Sequence, residues 1–101
     1  MIPQPGDLLH ISYFVNRKTD MIVWLTQPIL DPAPGCERGP GARGRLVWCA
    51  DYGPTYQRRQ VPLWTDLRLS WHADTWRKLK DHEVPTEVWA LLARYKMTGV
   101  L

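Results

Sequence analysis

Residues 39–44 read GPGARG, the G-x-G-x-x-G spacing of loops that cradle phosphates. In that chemistry a strand leads into the glycines and a helix leaves them. The helix N-terminus and its orphan N–H groups receive the pyrophosphate. Here the match follows more Gly/Pro-rich chain and precedes RLVWCADY, which alternates like a strand. No helix start is in place to meet an anion. A kinase-type glycine loop does lie between strands, but it needs a lysine, a catalytic loop and metal-binding residues that do not fit in 101 residues. The Lys and Ser/Thr of a P-loop are also missing after the last glycine. The match therefore reads as a connection between two strands.

The arginines around that loop are a different matter. Arg38, Arg43 and Arg45 surround it, and Arg58 and Arg59 fall in a segment that could pair beside it. Guanidinium forks suit phosphate or carboxylate groups. Exposed aromatic rings nearby could stack on bases or cover a cation. Tyr56, Trp64 and Trp89 complete this candidate binding set. The plainer reading of the same arginines is a group of solvated charges on an edge and a loop.

Six tryptophans, at positions 24, 48, 64, 71, 76 and 89, stand out in so short a chain. Each ring buries on the order of 200 Å², so two or three would fill much of a core this size. Most are expected inside, with one or two left at a surface that meets a partner.

Metal chemistry finds no support in the spacing. Cys36 and Cys49 are separated by twelve residues, and His72 and His82 by nine. Neither C-x-x-C nor H-x₃-H occurs, so no metal and no cofactor are expected. Catalysis would need a nucleophile, a base and an orienting group. Cys49 lies within strand-like sequence and reads as a packing residue. His10 points away from the apolar face of its strand and could meet Asp7, Asp51 or Asp66. His72 and Asp74 sit near a turn and could equally form a cap. The expectation is that the protein is not an enzyme.

The elements that would carry these side chains follow from periodicity. The chain of 101 residues, with formal net charge +3, is expected to form one domain spanning residues 1–101. MIPQPG is an extended lead-in. In DLLHISYFV, Leu9, Ile11, Tyr13 and Val15 share one face, and His10 and Ser12 the other. NRKTD suits a hairpin turn, MIVWLTQPIL a more central strand ended or kinked by Pro28. Residues 31–44 form a long loop in which seven of fourteen residues are Gly or Pro. RLVWCADY places Leu46, Trp48, Ala50 and Tyr52 on one face, with Val47 and Cys49 on the other. YQRRQVPLW reads as an edge strand because of Pro62. TDLRLSW fits a strand or a helix, with the strand preferred. ADTWRKLKDH reads as a short helix capped by Asp74, with an Arg77–Asp81 pair at (i, i+4). The last helix starts at Thr86, aligns Val88, Leu91, Leu92 and Tyr95, leaves Trp89 at the stripe's edge, and stops at Gly99.

The fold class expected is α+β, mainly antiparallel β: four or five strands, a short helix, and a C-terminal helix packed on the sheet. The stretch PGDLLHI, Pro5–Ile11, followed by hairpins, resembles small SH3-like barrels, which often enter their first strand through a Pro-Gly-Asp turn. That resemblance implies a small, partly open barrel and no particular ligand. An apolar leader is not apparent, since prolines interrupt the N-terminus, and no run approaches a membrane span. These features imply a reduced cytoplasmic setting, in which a Cys36–Cys49 disulfide is allowed but not required. The abundance of Arg, Gly, Pro and Trp fits high-GC coding and a bacterial or phage source. The function expected is a non-enzymatic protein-binding module, such as an inhibitor, adaptor or assembly subunit, with homodimer formation as one use of the surplus Trp. The alternative is a nucleic-acid-binding β-barrel that presents Arg and aromatic side chains.

Overall fold

The computed structural model describes residues 2–14, 17–31, 39–50, 64–70 and 76–98. Among these residues five strands form one antiparallel sheet: β1 (Leu8–Phe14), β2 (Arg17–Leu25), β3 (Gly41–Cys49), β4 (Asp66–Ser70) and β5 (Trp76–Lys78). The order across the sheet is β4-β3-β2-β1-β5. The first four strands are thus a meander, and the fifth returns to the free edge of β1. One helix, α1 (Thr86–Thr98), follows a 3₁₀ turn at Asp81–Glu83. The architecture is α+β and mainly β.

Entry into the sheet is set by Gln4–Asp7. Gly6 has φ +96°, and the Asp7 N–H donates to the Gln4 carbonyl at 3.0 Å. Proline followed by a glycine at positive φ makes a tight turn without steric cost. The Asp7 carboxylate closes it by accepting the Gln4 N–H at 2.8 Å. The Gly6 N–H and the Asp7 carbonyl then bond Leu25, fastening the turn to the end of β2.

Each face of the sheet has its own apolar cluster. On one face Leu9, Ile11, Met21, Val23, Leu25 and Leu46 are wholly buried, together with Ala42, Leu67 and Trp76. On the other, Leu8, Ile22, Val47 and Leu79 pack against Val84 and against Val88 and Leu92 of α1. Removing each such aliphatic side chain from water contributes roughly 1.5–3 kcal/mol before entropy is counted.

Several expectations need correction. The segment read as a short helix, ADTWRKLKDH, holds in its described part, residues 76–82, β5 and the start of the 3₁₀ turn instead. Trp76 pairs with Ile11, Arg77 with His10 and Lys78 with Leu9. This pairing buries Trp76 on one face and sends the following Leu79 to the other. Edge pairing with a buried neighbour outweighs the (i, i+4) charge pair, which is worth only tenths of a kcal/mol. Arg77 bonds Glu83 rather than Asp81.

The hairpin turn after β1 is shorter than NRKTD. The ladder runs to Phe14↔Arg17, so Arg17–Asp20 belong to β2. Tyr13, expected on the apolar face, is 46% exposed, past the register shift between Ile11 and Tyr13 in the β1–β2 ladder.

The strand expected from Arg45 begins at Gly41, inside the predicted loop. Its alternation also breaks. Val23 pairs with Leu46, and Ile22 with Trp48, which leaves Val47 as an extra residue. This bulge puts Val47 and Trp48 on the α1 face, whereas Leu46 and Cys49 share the other. Of the expected edge strand YQRRQVPLW, residues 56–64, all but Trp64 lie outside the described residues, as does the expected stop at Gly99.

Candidate functional site

The GPGARG backbone is spent on the sheet. The Gly41 N–H donates to Leu30, and the Arg43 carbonyl accepts the N–H groups of Thr26 and Gln27 and the Thr26 hydroxyl. Gly44 pairs with Leu25 where the strands run too close for a side chain. A Cβ there would overlap the Val23 Cγ1 methyl and stand 2.8 Å from the Trp24 carbonyl oxygen. The last glycine thus answers to strand packing.

The charges of that strand line a cleft of about 530 Å³. Its walls come from the Pro5–Gly6 turn, the end of β2, Arg43 and Arg45 of β3, Asp66 of β4 and Tyr95 of α1. Alternation along β3 sets Arg43 and Arg45 on the α1 face, between Ala42, Gly44 and Leu46, whose side of the strand meets the opposite cluster. The register sets Asp66 opposite Arg45, and Arg68 opposite Arg43. Arg43 reaches Asp66 diagonally, Nη1 to Oδ2 at 3.3 Å, and both side chains are more than a third exposed. Arg45 donates its Nη1–H to the Trp64 carbonyl at 3.3 Å rather than to Asp66.

Beside the guanidinium groups lies an aromatic cluster. Trp24 and Trp64 have ring centroids 5.5 Å apart, Trp24 and Tyr95 5.5 Å, and Trp64 and Tyr95 4.6 Å. All three rings are half-buried. Trp64 holds φ +73°, a left-handed conformation that costs a bulky residue about 1–2 kcal/mol. Its N–H donates to the Leu46 carbonyl at 2.5 Å, which fixes that conformation against β3. Such strain is often stored where a site is built.

No protein-family model, curated protein or solved structure matches this chain. The cleft must therefore be read from its own residues. Among the described residues no group of His, Cys, Asp and Glu could hold a metal ion, and no helix is long and apolar enough to cross a membrane.

Of the predicted binding residues, Arg43, Arg45 and Trp64 come together here. Trp89 does not join them: it sits on α1 and is 42% exposed. Arg38, Tyr56, Arg58 and Arg59 lie outside the described residues, as do Cys36, His72, Asp74 and Trp71. Cys49 packs against the Leu9–Ile11 cluster. His10 bonds neither Asp7 nor Asp66, and Asp51 lies outside the described residues. Its Nε2 lies 2.6 Å from Asp20 Oδ1, a diagonal neighbour on β2.

Sequence reasoning passed over Trp24, Tyr95, Asp66 and Arg68. Trp24 and Tyr95 were expected in the core, where their spacing puts them. The signal for the other two was there: R-x-R in one strand and D-x-R in another place four charges on one face once the strands pair. The strand expected beside β3 is YQRRQVPLW, residues 56–64, with Arg58 and Arg59, so the D-x-R half of the pattern has no role in that reading.

Proposed function

We propose that this chain is a small non-enzymatic binding module that docks another protein through the Arg43–Arg45–Asp66 cleft. The observation that carries the reading is the meeting of two cationic forks with an aromatic cluster in one concave site. Arg, Trp and Tyr are the residue types that dominate binding hot spots. Among the described residues no His or Cys lines the cleft, and the hydroxyl of Thr26 in its wall is engaged with the Arg43 carbonyl. The strand order β4-β3-β2-β1-β5 and the Pro5–Gly6–Asp7 entry turn support an SH3-like barrel as the scaffold.

Single-stranded nucleic acid would call on the same residue types, but it needs open ring faces on which bases stack. Trp24, Trp64 and Tyr95 pack on one another, which favours a protein partner.

Differential capture tests the proposal. Native chain, an R43E/R45E variant and a W89A variant are immobilised and exposed to the same nuclease-treated lysate. At least one protein should be retained by the native chain and by W89A but lost with R43E/R45E. An identical set of captured proteins on all three would overturn the cleft as the docking site. Capture by the native chain that occurs from untreated lysate but not from the nuclease-treated one would point to nucleic acid instead.

A further inference from the structure

Arg43 and Arg68 face each other directly across the β3–β4 ladder. Like charges in that position repel and weaken the sheet. Asp66, two residues before Arg68 on β4, offsets part of this by reaching Arg43. The contact is loose: a single N···O distance of 3.3 Å, against about 2.7–2.9 Å for a well-formed charge-assisted bond. Arg45, directly opposite Asp66, turns to the Trp64 carbonyl instead. Among the described residues this strip thus sets three guanidinium groups against one carboxylate, which only Arg43 contacts, and it carries an excess of +2 (three arginines less one aspartate).

We infer that Asp66 is a resident stand-in for a partner's carboxylate, and that the Arg43–Arg68 strip recognises an acidic peptide segment. An incoming Asp or Glu displaces Asp66 from Arg43 and bridges to Arg68, which relieves the repulsion across the ladder. An apolar neighbour in the segment lies at the Trp24–Tyr95 side of the cleft, where the lining turns from charge to ring. Asp66 then sets selectivity: it competes with a ligand's charge and holds back weakly acidic sequences. The inference rests on the cleft being a protein-docking site, and it names both the chemistry of the partner and the residue that gates it.

The test is a titration of the folded chain followed by NMR, reading the Trp24 and Trp64 indole N–H signals and the Arg43 side chain. The probe is a capped peptide alternating glutamate with phenylalanine. Its glutamine counterpart, decathymidylate and inorganic phosphate are the comparison arms. The glutamate peptide should bind and the glutamine one should not. R43Q and R68Q should each weaken binding, whereas D66N should tighten it by about threefold, the scale of an exposed ion pair removed as competitor. D66S repeats the measurement should the amide disturb the β4 edge. Peptide binding that R43Q weakens, but that D66N and D66S leave unchanged or reduce, overturns the role of Asp66 while the docking site stands. No peptide binding to native or D66N chain, or tighter binding of decathymidylate, overturns the inference together with the acidic partner. A response to phosphate equal to that of the peptide overturns the selectivity for a peptide carboxylate.

Discussion

The Trp48 indole N–H donates to Glu87 Oε1 at 2.7 Å, across 39 residues of sequence. The bond ties the first turn of α1 to the bulge of β3. It exists because the extra residue Val47 turns Trp48 onto the helix side of the sheet. Glu87 also complements the positive end of the helix dipole. Replacing it with Ala should destabilise the fold by about 1 kcal/mol, read as a lower urea midpoint with an unchanged slope. E87Q keeps an acceptor and should recover part of the loss. If E87A and E87Q lose stability equally, the indole bond contributes nothing beyond charge.

The two ends of GPGARG should respond in opposite ways to a methyl group. Gly44 has no room for a Cβ, and G44A should cost about 1–3 kcal/mol through overpacking. Gly39 has nothing within 4 Å of a built Cβ, so G39A should stay within about 0.5 kcal/mol of native. Thermal melts check both. Adding ATP to the native chain should leave the melting temperature in place, since ligand binding to the folded state would raise it.

What could be read from the sequence was what local periodicity encodes. Leu9 and Ile11 at period two mark β1, and Val88, Leu92 and Tyr95 at helical spacing mark α1, because each pattern meets a core within one element. β5 was unreadable for the opposite reason. Three residues have no pattern of their own, and their stability comes from the edge of β1, far away in sequence. The Val47 bulge likewise depends on how β2 and β3 settle against each other. The cleft was half legible. Arg43, Arg45 and Trp64 carry chemistry by type, but their alignment with Asp66, Arg68 and Tyr95 is a product of register, which pairing alone decides.

Glu83 gives the fold an acid-sensitive joint. Its carboxylate accepts the Lys80 N–H at 3.0 Å and the Arg77 guanidinium at 2.7 Å. The backbone hydrogen bond from Lys80, then Arg77, holds its pKa below the ordinary value of 4.5. A depressed carboxylate pKa means that the unfolded chain binds the proton more readily. The stabilisation from Glu83 is therefore fully present above pH 4.5 and fades as pH falls through that value toward the lower folded pKa. E83Q should flatten the acid limb of the stability profile between pH 5 and pH 3, roughly the range in which carboxylates titrate. An unchanged limb in urea unfolding at stepped pH would remove this joint as a source of acid sensitivity.

Trp64 provides the sharpest contrast, because its backbone and its ring pull in opposite directions. The ring stabilises: it contacts Trp24 and Tyr95, and such pairs add about 0.5–1.5 kcal/mol beyond burial. The backbone costs energy, since φ +73° brings Cβ toward the following carbonyl. W64A removes the ring but keeps a Cβ in the left-handed region. W64G removes the ring and the steric cost together. At most positions glycine is the less stable of the two, by about 0.5–1 kcal/mol. Here the order should invert, with both variants below native and W64G above W64A by about 1 kcal/mol. Parallel urea titrations decide it. A W64A chain as stable as W64G, or more so, would mean that the turn into β4 relaxes out of the left-handed conformation once the indole is gone. The ring cluster, rather than the Trp64–Leu46 and Arg45–Trp64 hydrogen bonds, would then be what holds that turn beside the cleft.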